Sequence, residues 1–272
     1  MKTIKHQLVD MKLQGHQTAM ENYDHIELTP EQIKKITETA LREARKKIHF
    51  ENEERKYWDK VNTPVEYPRF DFEKTLKYFE KRVLELDPDF KINQYNQKII
   101  ESLARYFAAD ASAAQSGLNL KKGIMLVGPV GCGKTTIMKA FSINSQNPFA
   151  FVSSRKVASE YTDKKDGGDY VIKKYSSPCS VYPQQNFGFD KIGYCFDDIG
   201  VEQTQKHFGN ERDVIPEIIY SRYDARLHHQ THFTANMTAD DIEKTYGSRI
   251  RSRLREMCNF VEFDYNTPDF RK

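Results

Sequence analysis

The stretch Gly128-Pro129-Val130-Gly131-Cys132-Gly133-Lys134-Thr135 decides how this sequence folds. It fits the pattern GxxxxGK[ST] in full, follows the apolar run Ile124–Val127 and precedes a helical pattern that begins near Lys134. Glycines let the backbone wrap closely, so that successive N–H groups and the helix N-terminus point at phosphate oxygens. The stretch is therefore predicted to be a phosphate-binding loop between a strand and a helix.

The loop predicts a site for ATP and Mg²⁺. Lys134 is expected to reach the β- and γ-phosphates, and the Thr135 hydroxyl is expected to hold Mg²⁺. The Cys132 thiol could have its pKa lowered by the helix N-terminus and act in redox control, or it could have no chemical role. The loop residues predicted to bind ATP are Gly128, Pro129, Val130, Gly131, Cys132, Gly133, Lys134, Thr135 and Thr136.

From Gly123 onward, short apolar runs alternate with helical patterns, which predicts an α/β fold with a mostly parallel, five-stranded sheet covered by helices. The predicted strands are Ile124–Val127, Phe149–Val152, Gly193–Phe196, Thr231–Ala235 and Phe260–Phe263. Ligands of such folds bind at the carboxyl ends of the strands. Polar residues that follow these strands are therefore candidates for catalysis.

Adjacent acids and an amide follow two of the predicted strands. Asp197 is predicted to hold Mg²⁺, and Asp198 to orient or deprotonate an attacking water, although two acids here could instead cap a helix. Asn236 is predicted to hydrogen-bond that water or the γ-phosphate, with a turn-forming role as the alternative. An acid after the metal ligand favours hydrolysis over transfer of the phosphoryl group to a second substrate.

The segment Gly247–Arg255 predicts a helix with arginines at alternate positions. A guanidinium lent by one subunit to the γ-phosphate held by the next is an arginine finger, and Arg253 is the candidate. Such a finger requires a homo-oligomer. A solvated surface role stays open for each arginine, above all for Arg251 and Arg255.

Together with Ser221-Arg222-Tyr223 and Asp269-Phe270-Arg271, these motifs resemble the DnaC/IstB branch of the AAA+ ATPases from about residue 70 to residue 271. Its members include bacterial and phage loaders of the replicative helicase and ATPase helpers of transposases. The resemblance implies a Walker B pair, a sensor 1 residue, an arginine finger and a sensor-2-like arginine, which are Asp197 with Asp198, Asn236, Arg253 and Arg271. It assigns Arg222 no role that the residues explain.

Two departures from the family pattern are visible. Thr234-Ala235-Asn236 replaces the more usual Thr-Thr-Asn or Thr-Ser-Asn, and residues 1 to 60 match no family motif. In the family, the segment upstream of the phosphate loop helps to build the adenine pocket, which makes Arg69–Phe72 candidates.

The predicted domains are an N-terminal helical partner-binding region with a linker at 1–66, and an AAA+ ATPase domain at 67–272. Thr29-Pro30-Glu31-Gln32 reads as a helix start, and its apolar stripe could dock on a partner or pack on its own neighbours. The stripe comprises Ile33, Ile36, Ala40, Ala44 and Ile48. Residues 51–69, charged and then carrying Pro64 and Pro68, predict a linker or a boundary strand.

Charge is nearly balanced, with 42 Lys+Arg against 39 Asp+Glu, so contact with nucleic acid would need a local patch. The region from Val152 to Gly193 corresponds to the family's insertion linked to single-stranded DNA, and it combines cations with Tyr175. Five acids dilute this patch, so a solvated loop remains the alternative. The cations are Arg155, Lys156, Lys164, Lys165, Lys173 and Lys174.

Other classes of protein are disfavoured. No apolar run reaches the roughly 20 residues of a membrane span, and the N-terminus lacks the apolar region of a secretory signal, so we expect a cytoplasmic protein. The four cysteines form no CxxC pair and are expected to be reduced. His228-His229-Gln230-Thr231-His232 is expected to be structural rather than metal-binding.

The site residues predict an ATPase, and the family resemblance implies a helicase loader that acts in DNA replication and binds the replicative helicase and single-stranded DNA. A transposition helper of the same family, with a transposase as partner, is the nearest alternative. A P-loop kinase acting on a small molecule and a scaffold that binds ATP without hydrolysing it are more distant ones.

Overall fold

The computed structural model describes residues 26–62, 66–202, 205–207 and 210–271. The chain divides into two compact units, Met1–Pro64 and Val65–Lys272. Whether the first unit serves as a partner-binding region and the second as an ATPase domain, with the boundary at residue 66, stays a prediction.

The described part of the first unit is a single long helix, α1 (Pro30–Asn62). It starts where the sequence predicts, because the Gln32 N–H donates to Thr29 Oγ1 (3.3 Å) and the Thr29 N–H donates to Gln32 Oε1 (2.8 Å). The apolar stripe is exposed, with Ile33 and Ile48 at 51% and 55%.

The prediction of a linker from residue 51 is wrong as far as Asn62, because α1 continues through these residues. Charged side chains with good helix propensity support it, and Lys47 pairs with Glu51 and Lys56 with Glu53 at helical spacing. Pro64 lies outside the described residues.

The second unit opens with two helices, α2 (Phe72–Leu86) and α3 (Gln97–Phe107). Asp71 caps the start of α2 by accepting the Lys74 N–H (2.8 Å), and Asp87 caps its end, where the sequence Asp87-Pro88 predicts that the helix stops. A 3₁₀ turn then leads into β1 (Gly123–Val127), followed directly by the loop and α4 (Lys134–Phe141).

The rest of the second unit contains the four other predicted strands, three short strands that were not predicted, and further helices. They are β2 (Phe149–Ser153), α5 (Ser154–Tyr161), α6 (Asp169–Ser176), β3 (Cys179–Ser180), β4 (Lys191–Ile199), β5 (Gln205–His207), β6 (Asn210–Arg212), α7 (Val214–Asp224), β7 (Thr231–Ala235), α8 (Ala239–Tyr246), α9 (Ser248–Met257) and β8 (Cys258–Glu262). None of the described helices is both long and apolar enough to cross a bilayer.

The main sheet has the order β2-β4-β7-β1-β8 with every neighbour parallel, so the predicted α/β fold is confirmed. The predicted strand number is wrong, because the described part of the chain places six strands in this sheet rather than five. β4 begins at Lys191, earlier than predicted, and Lys191 and Ile192 pair antiparallel with the short β3. β5 and β6 form a separate two-stranded ribbon.

Helices cover both faces of this sheet. Met125 and Val127 of β1 pack under α5–α9, whereas Ile124 and Leu126 pack under α2–α4. Because successive side chains of a strand point to opposite faces, a strand covered on both sides is apolar throughout. All five residues of β1 are accordingly buried.

Arg222 of α7 is fully buried, and its hydrogen-bond acceptors are all uncharged. Its guanidinium donates to the carbonyls of Tyr175 (3.0 Å), Ser177 (3.2 Å) and Gln230 (2.7 Å) and to Thr231 Oγ1 (2.8 Å). Burial lowers the pKa of Arg222 to about 10, so it stays charged at neutral pH. The arginine whose role the sequence left open therefore fastens the end of α6 to the start of β7.

His232 of β7 is buried beside the rings of Phe107 and Phe149. Its Nδ1 accepts the N–H of Ile124 (3.1 Å). Burial lowers the pKa of His232 to about 3, so the ring is neutral in the folded protein. This histidine is structural.

Stability should therefore fall on mild acidification. His232 takes up a proton near pH 6.5 in the unfolded chain but only near pH 3 in the folded chain. The neutral ring therefore makes its full contribution to the free energy of unfolding above pH 6.5, and this contribution is lost as the pH falls towards 3. We expect a loss of about 2 kcal/mol in the free energy of unfolding between pH 7 and pH 5, measured by urea titration.

The variant His232→Gln should be less stable at pH 7 but should lose much less stability between the two pH values. His49→Gln, on the exposed surface of α1, serves as the control. Equal pH dependence in wild type and His232→Gln would show that His232 is not the responsible group.

Candidate functional site

The carboxyl ends of three neighbouring strands, β1, β7 and β4, meet at one edge of the sheet. The glycine-rich loop follows β1, Asn236 follows β7, and Asp197 and Asp198 lie near the end of β4. A cleft of about 730 Å³ lies at this edge. Its volume is in the range of small-molecule sites.

The loop holds its lysine inside the turn. Gly131 and Gly133 have φ of +79° and +96°, and a Cβ on Gly131 would overlap the carboxylate of Asp269. Lys134, the first residue of α4, is buried, and its Nζ donates to the carbonyls of Gly128 (2.9 Å) and Pro129 (2.8 Å). Burial lowers the pKa of this ammonium group. A cation is thus fixed beside the first turn of a helix, where phosphate binds favourably.

Asp197 is buried and accepts hydrogen bonds from hydroxyl groups of two other elements. Its Oδ1 accepts from Thr135 Oγ1 of α4 (2.9 Å) and from Thr234 Oγ1 of β7 (2.7 Å). Burial raises the pKa of Asp197, and the two hydroxyl groups act in the opposite direction. Hydroxyl and carboxylate oxygens are the ligands that Mg²⁺ prefers, so Thr135 and Asp197 fit the predicted metal site. No feature of the sequence indicated the role of Thr234.

Asp198 turns the other way and lines the cleft. A register shift interrupts the pairing of β4 with β7 at the two acids, and Asp198 has φ +53°, a conformation that Asp tolerates better than most residues. The Thr234 hydroxyl accepts the Asp198 N–H (2.8 Å), and the Ser154 hydroxyl donates to the Asp198 carbonyl (2.7 Å). Asn236 Nδ2 donates to Asp198 Oδ1 (3.2 Å), which orients the carboxylate.

The C-terminal segment Asp269–Arg271, here called the strap, lies on the phosphate loop. The Phe270 N–H donates to the Gly131 carbonyl (3.1 Å), and the Arg271 N–H donates to Asp269 Oδ1 (2.9 Å). The Phe270 ring lies 6.3 Å from the ring of Tyr95. These contacts bring Arg271 to the cleft, which it lines.

Most of the predicted site residues lie together. Those that line the cleft are Gly131, Cys132, Gly133, Lys134, Thr135, Thr136, Asp198, Asn236 and Arg271. Asp197 lies behind Thr135, and Gly128 and Pro129 contribute carbonyls to Lys134 rather than surface to the cleft. Val130 is half-exposed and does not line the cleft.

Sequence reasoning missed one wall of the cleft, the turn between α2 and α3. It contributes Asp87, Asp89, Phe90, Lys91, Asn93 and Asn96, and a Cβ on Gly133 would lie 3.6 Å from the Phe90 ring. The helix stop at Asp87-Pro88 was the only local signal for this turn. The candidate Arg69 does not line the cleft, because its guanidinium donates to the carbonyls of Ser145 and Phe187 and lies over Phe189.

Arg253 does not line the cleft of its own chain either. It is half-buried, with its guanidinium 4.5 Å from the ring centroid of Tyr220 and 5.0 Å from that of Tyr223. Arg251, on the same helix, pairs with Asp240 and Glu243 of α8. Within its own chain, the Arg253 guanidinium thus lies against the two tyrosines of α7.

Burial bears on two further expectations, the alternatives for Cys132 and the DNA contact of Tyr175. Burial raises the pKa of the Cys132 thiol, so the reactive thiolate needed for redox control is disfavoured.

Tyr175 is buried and donates its hydroxyl to Glu160, so its ring cannot stack on a base. Tyr170, 61% exposed, is an aromatic side chain of this region that faces solvent.

Comparisons with known proteins reveal distant structural similarity only. No family profile and no curated protein matches the chain. A search of solved structures finds a crystal structure of the DnaC helicase loader at 17% identity and a TM-score of 0.43, covering 69% of this chain and 99% of that one. It also finds AMPPCP-bound DnaA from Aquifex aeolicus at 17% identity and a TM-score of 0.41, covering 74% of this chain and 52% of that one.

Similarity this low carries no argument about the substrate or the partners of this chain.

Proposed function

We propose that this chain is an ATP-hydrolysing AAA+ protein that loads a replicative helicase during DNA replication. The observation that supports hydrolysis is the meeting of Lys134, Asp197, Asp198 and Asn236 at one sheet edge, on a cleft large enough for a nucleotide. Such convergence of a cation, a metal-binding acid and a second acid is the arrangement that P-loop NTPases use.

The phosphate loop would hold the triphosphate through its N–H groups and Lys134. Thr135 and Asp197 would hold Mg²⁺, which when bound neutralises charge on the phosphate oxygens. Arg271, the last residue of the strap, lines the cleft and would place a second cation near the phosphates. Thr234 keeps the Asp197 carboxylate in position.

Asp198 would act as the general base. Its Oδ1 accepts from Asn236, so the orientation of the carboxylate is fixed and its other oxygen can accept a proton from the attacking water. Asn236 is in this respect a positioning residue. A base aimed at water favours release of free phosphate over phosphorylation of a small molecule.

Replacing Asp198 should separate binding from hydrolysis. We expect Asp198→Asn to lower kcat for phosphate release by about 100-fold or more, because general-base catalysis is lost. Binding of a fluorescent ATP analogue should change little, because the loop and Lys134 are retained. Phosphate release and fluorescence titration measure the two effects.

Asp190→Asn is the control for this variant, because Asp190 is an exposed acid just before β4. Release of phosphate at the wild-type rate by Asp198→Asn would contradict the proposed base. A phosphorylated small molecule in place of free phosphate would favour the kinase alternative.

Arg253 is proposed to act on the site of a neighbouring copy, in a homo-oligomer. It does not line its own cleft, and rotation of its long side chain away from Tyr220 and Tyr223 would free the guanidinium for a second chain. Arginine fingers of this kind stabilise charge on the transferred phosphoryl group.

A mixing experiment tests this arrangement. Arg253→Ala and Asp198→Asn should each be nearly inactive alone, but a 1:1 mixture should recover about a quarter of the wild-type rate, because some interfaces then combine an intact base with an intact arginine. Arg255→Ala, also on α9, is the control. A mixture no more active than its components would contradict action between subunits.

The finer part of the proposal concerns the partners. The exposed apolar stripe of α1 supports docking of the N-terminal region on the replicative helicase, since an amphipathic helix binds an apolar groove through such a stripe. Exposed cations such as Arg155, Lys164 and Lys173 support contact with the phosphates of single-stranded DNA. We take the protein to act in the cytoplasm.

Capture of partners separates helicase loading from transposition. The full chain should bind a purified replicative helicase, and the same chain with Ile36 and Ile48 both changed to Glu should not, because both changes place charge on the apolar stripe. Lys35→Glu with Lys46→Glu, on charged positions of α1, is the control. Binding of a transposase instead would favour the helper ATPase.

A further inference from the structure

A carboxylate just beyond the acidic strand connects it to a distant helix. Glu202 Oε2 accepts the N–H of Gly200 (2.9 Å), and Glu202 Oε1 accepts the hydroxyl of Tyr246 at the end of α8. Tyr246 is largely buried, and burial together with Glu202 raises its pKa, so the phenol stays protonated and remains a donor. Neither residue lines the cleft.

The strand side of this connection has little freedom to move. Gly200 has φ +93°, and a Cβ there would overlap the sulfur of Met237. Ile199, next to Asp198, pairs with Ala235, next to Asn236, so the ends of β4 and β7 are fixed to each other. The Glu202 carboxylate therefore moves together with β4, the strand that carries the proposed base.

The helix side leads to the arginines. Tyr246 ends α8, Gly247 follows with φ +84°, and α9 begins at Ser248. Arg251 of α9 pairs with Asp240 and Glu243 of α8, so the two helices are cross-linked by ion pairs as well as joined by one residue. A displacement at Tyr246 would consequently move the helix that carries Arg253.

We infer that Glu202 and Tyr246 form a positioning pair, whose hydrogen bond sets α9 and its Arg253 relative to Asp198. This inference rests on the proposed function. Tyr246 would then affect hydrolysis without touching the nucleotide. Its hydrogen bond joins β4, which carries Asp198, to α9, whose Arg253 is proposed to act on the site of the neighbouring copy. Loss of the bond leaves the phosphate loop intact.

The variant Tyr246→Phe tests the pair, because it removes only the hydroxyl. We expect kcat for ATP hydrolysis to fall about 10-fold, as for other misplacements of catalytic groups, while the affinity for a fluorescent ATP analogue changes less than about 3-fold. Tyr106→Phe is the matched control. It removes another buried hydroxyl, which donates to the Lys122 carbonyl at the amino end of β1, and should leave kcat near that of the wild type.

A double-mutant cycle assigns the effect to the bond itself. Glu202→Ala alone should lower kcat at least as much as Tyr246→Phe, because it also removes the acceptor of the Gly200 N–H, and the double variant should be no worse than Glu202→Ala, because both changes remove the bond between Glu202 and Tyr246. Glu202→Gln, which keeps an oxygen able to accept from Tyr246, should recover most of the rate. Additive losses, or a kcat of Tyr246→Phe equal to that of the wild type, would overturn the inference.

Hydrogen exchange separates failure of the pair from failure of the proposed function. Addition of a non-hydrolysable ATP analogue with Mg²⁺ should slow exchange in both the phosphate loop and α9 of the wild type, but only in the loop of Tyr246→Phe. A wild-type chain that binds the analogue and shows no change in α9 would overturn the pair alone. A chain that shows the α9 response without any hydrolysis would overturn the proposed ATPase alone, and one that binds no nucleotide would overturn both.

Discussion

The candidate site depends on the carboxylate of Asp197, held between the hydroxyls of Thr135 and Thr234. These contacts join β4 to the first turn of α4 and to β7, so they fix the acids relative to the phosphate loop. A buried acid is costly unless its oxygens accept hydrogen bonds. Burial raises the pKa of Asp197 even with both hydroxyls present. A cation between Thr135 and Asp197 would relieve that cost, which is a reason to expect a metal there.

The parallel sheet explains why so few residues suffice to build the site. β7 lies between β1 and β4, so the loop, the amide of Asn236 and the acids meet at one edge. The register shift in β4 then points adjacent acids in different directions, Asp197 towards Thr135 and Asp198 into the cleft. The proposed metal ligand and the proposed general base are therefore neighbours in sequence whose side chains lie in different surroundings.

Two ionisable side chains are also buried in the core outside the candidate site. Arg222 keeps its charge in the core because its donors meet carbonyls and a hydroxyl from two chain segments, whereas His232 avoids charge by staying neutral. His232 belongs to β7, and Arg222 of α7 holds the start of β7, the strand that carries Thr234 into the site. Stability of the core and geometry of the site therefore depend on a common element.

The sequence by itself determined the phosphate loop, the parallel strands, the capping box of α1 and the acids that end β4, because each depends on residues close together in the chain. Only the tertiary structure decided the wall between α2 and α3, the strap on Gly131, the role of Thr234 and the bond between Glu202 and Tyr246. Each of these joins segments far apart in sequence, and no local period of hydrophobicity records which distant side chain a carboxylate or a carbonyl will meet. The same reason left Arg222 unexplained until its four acceptors were seen.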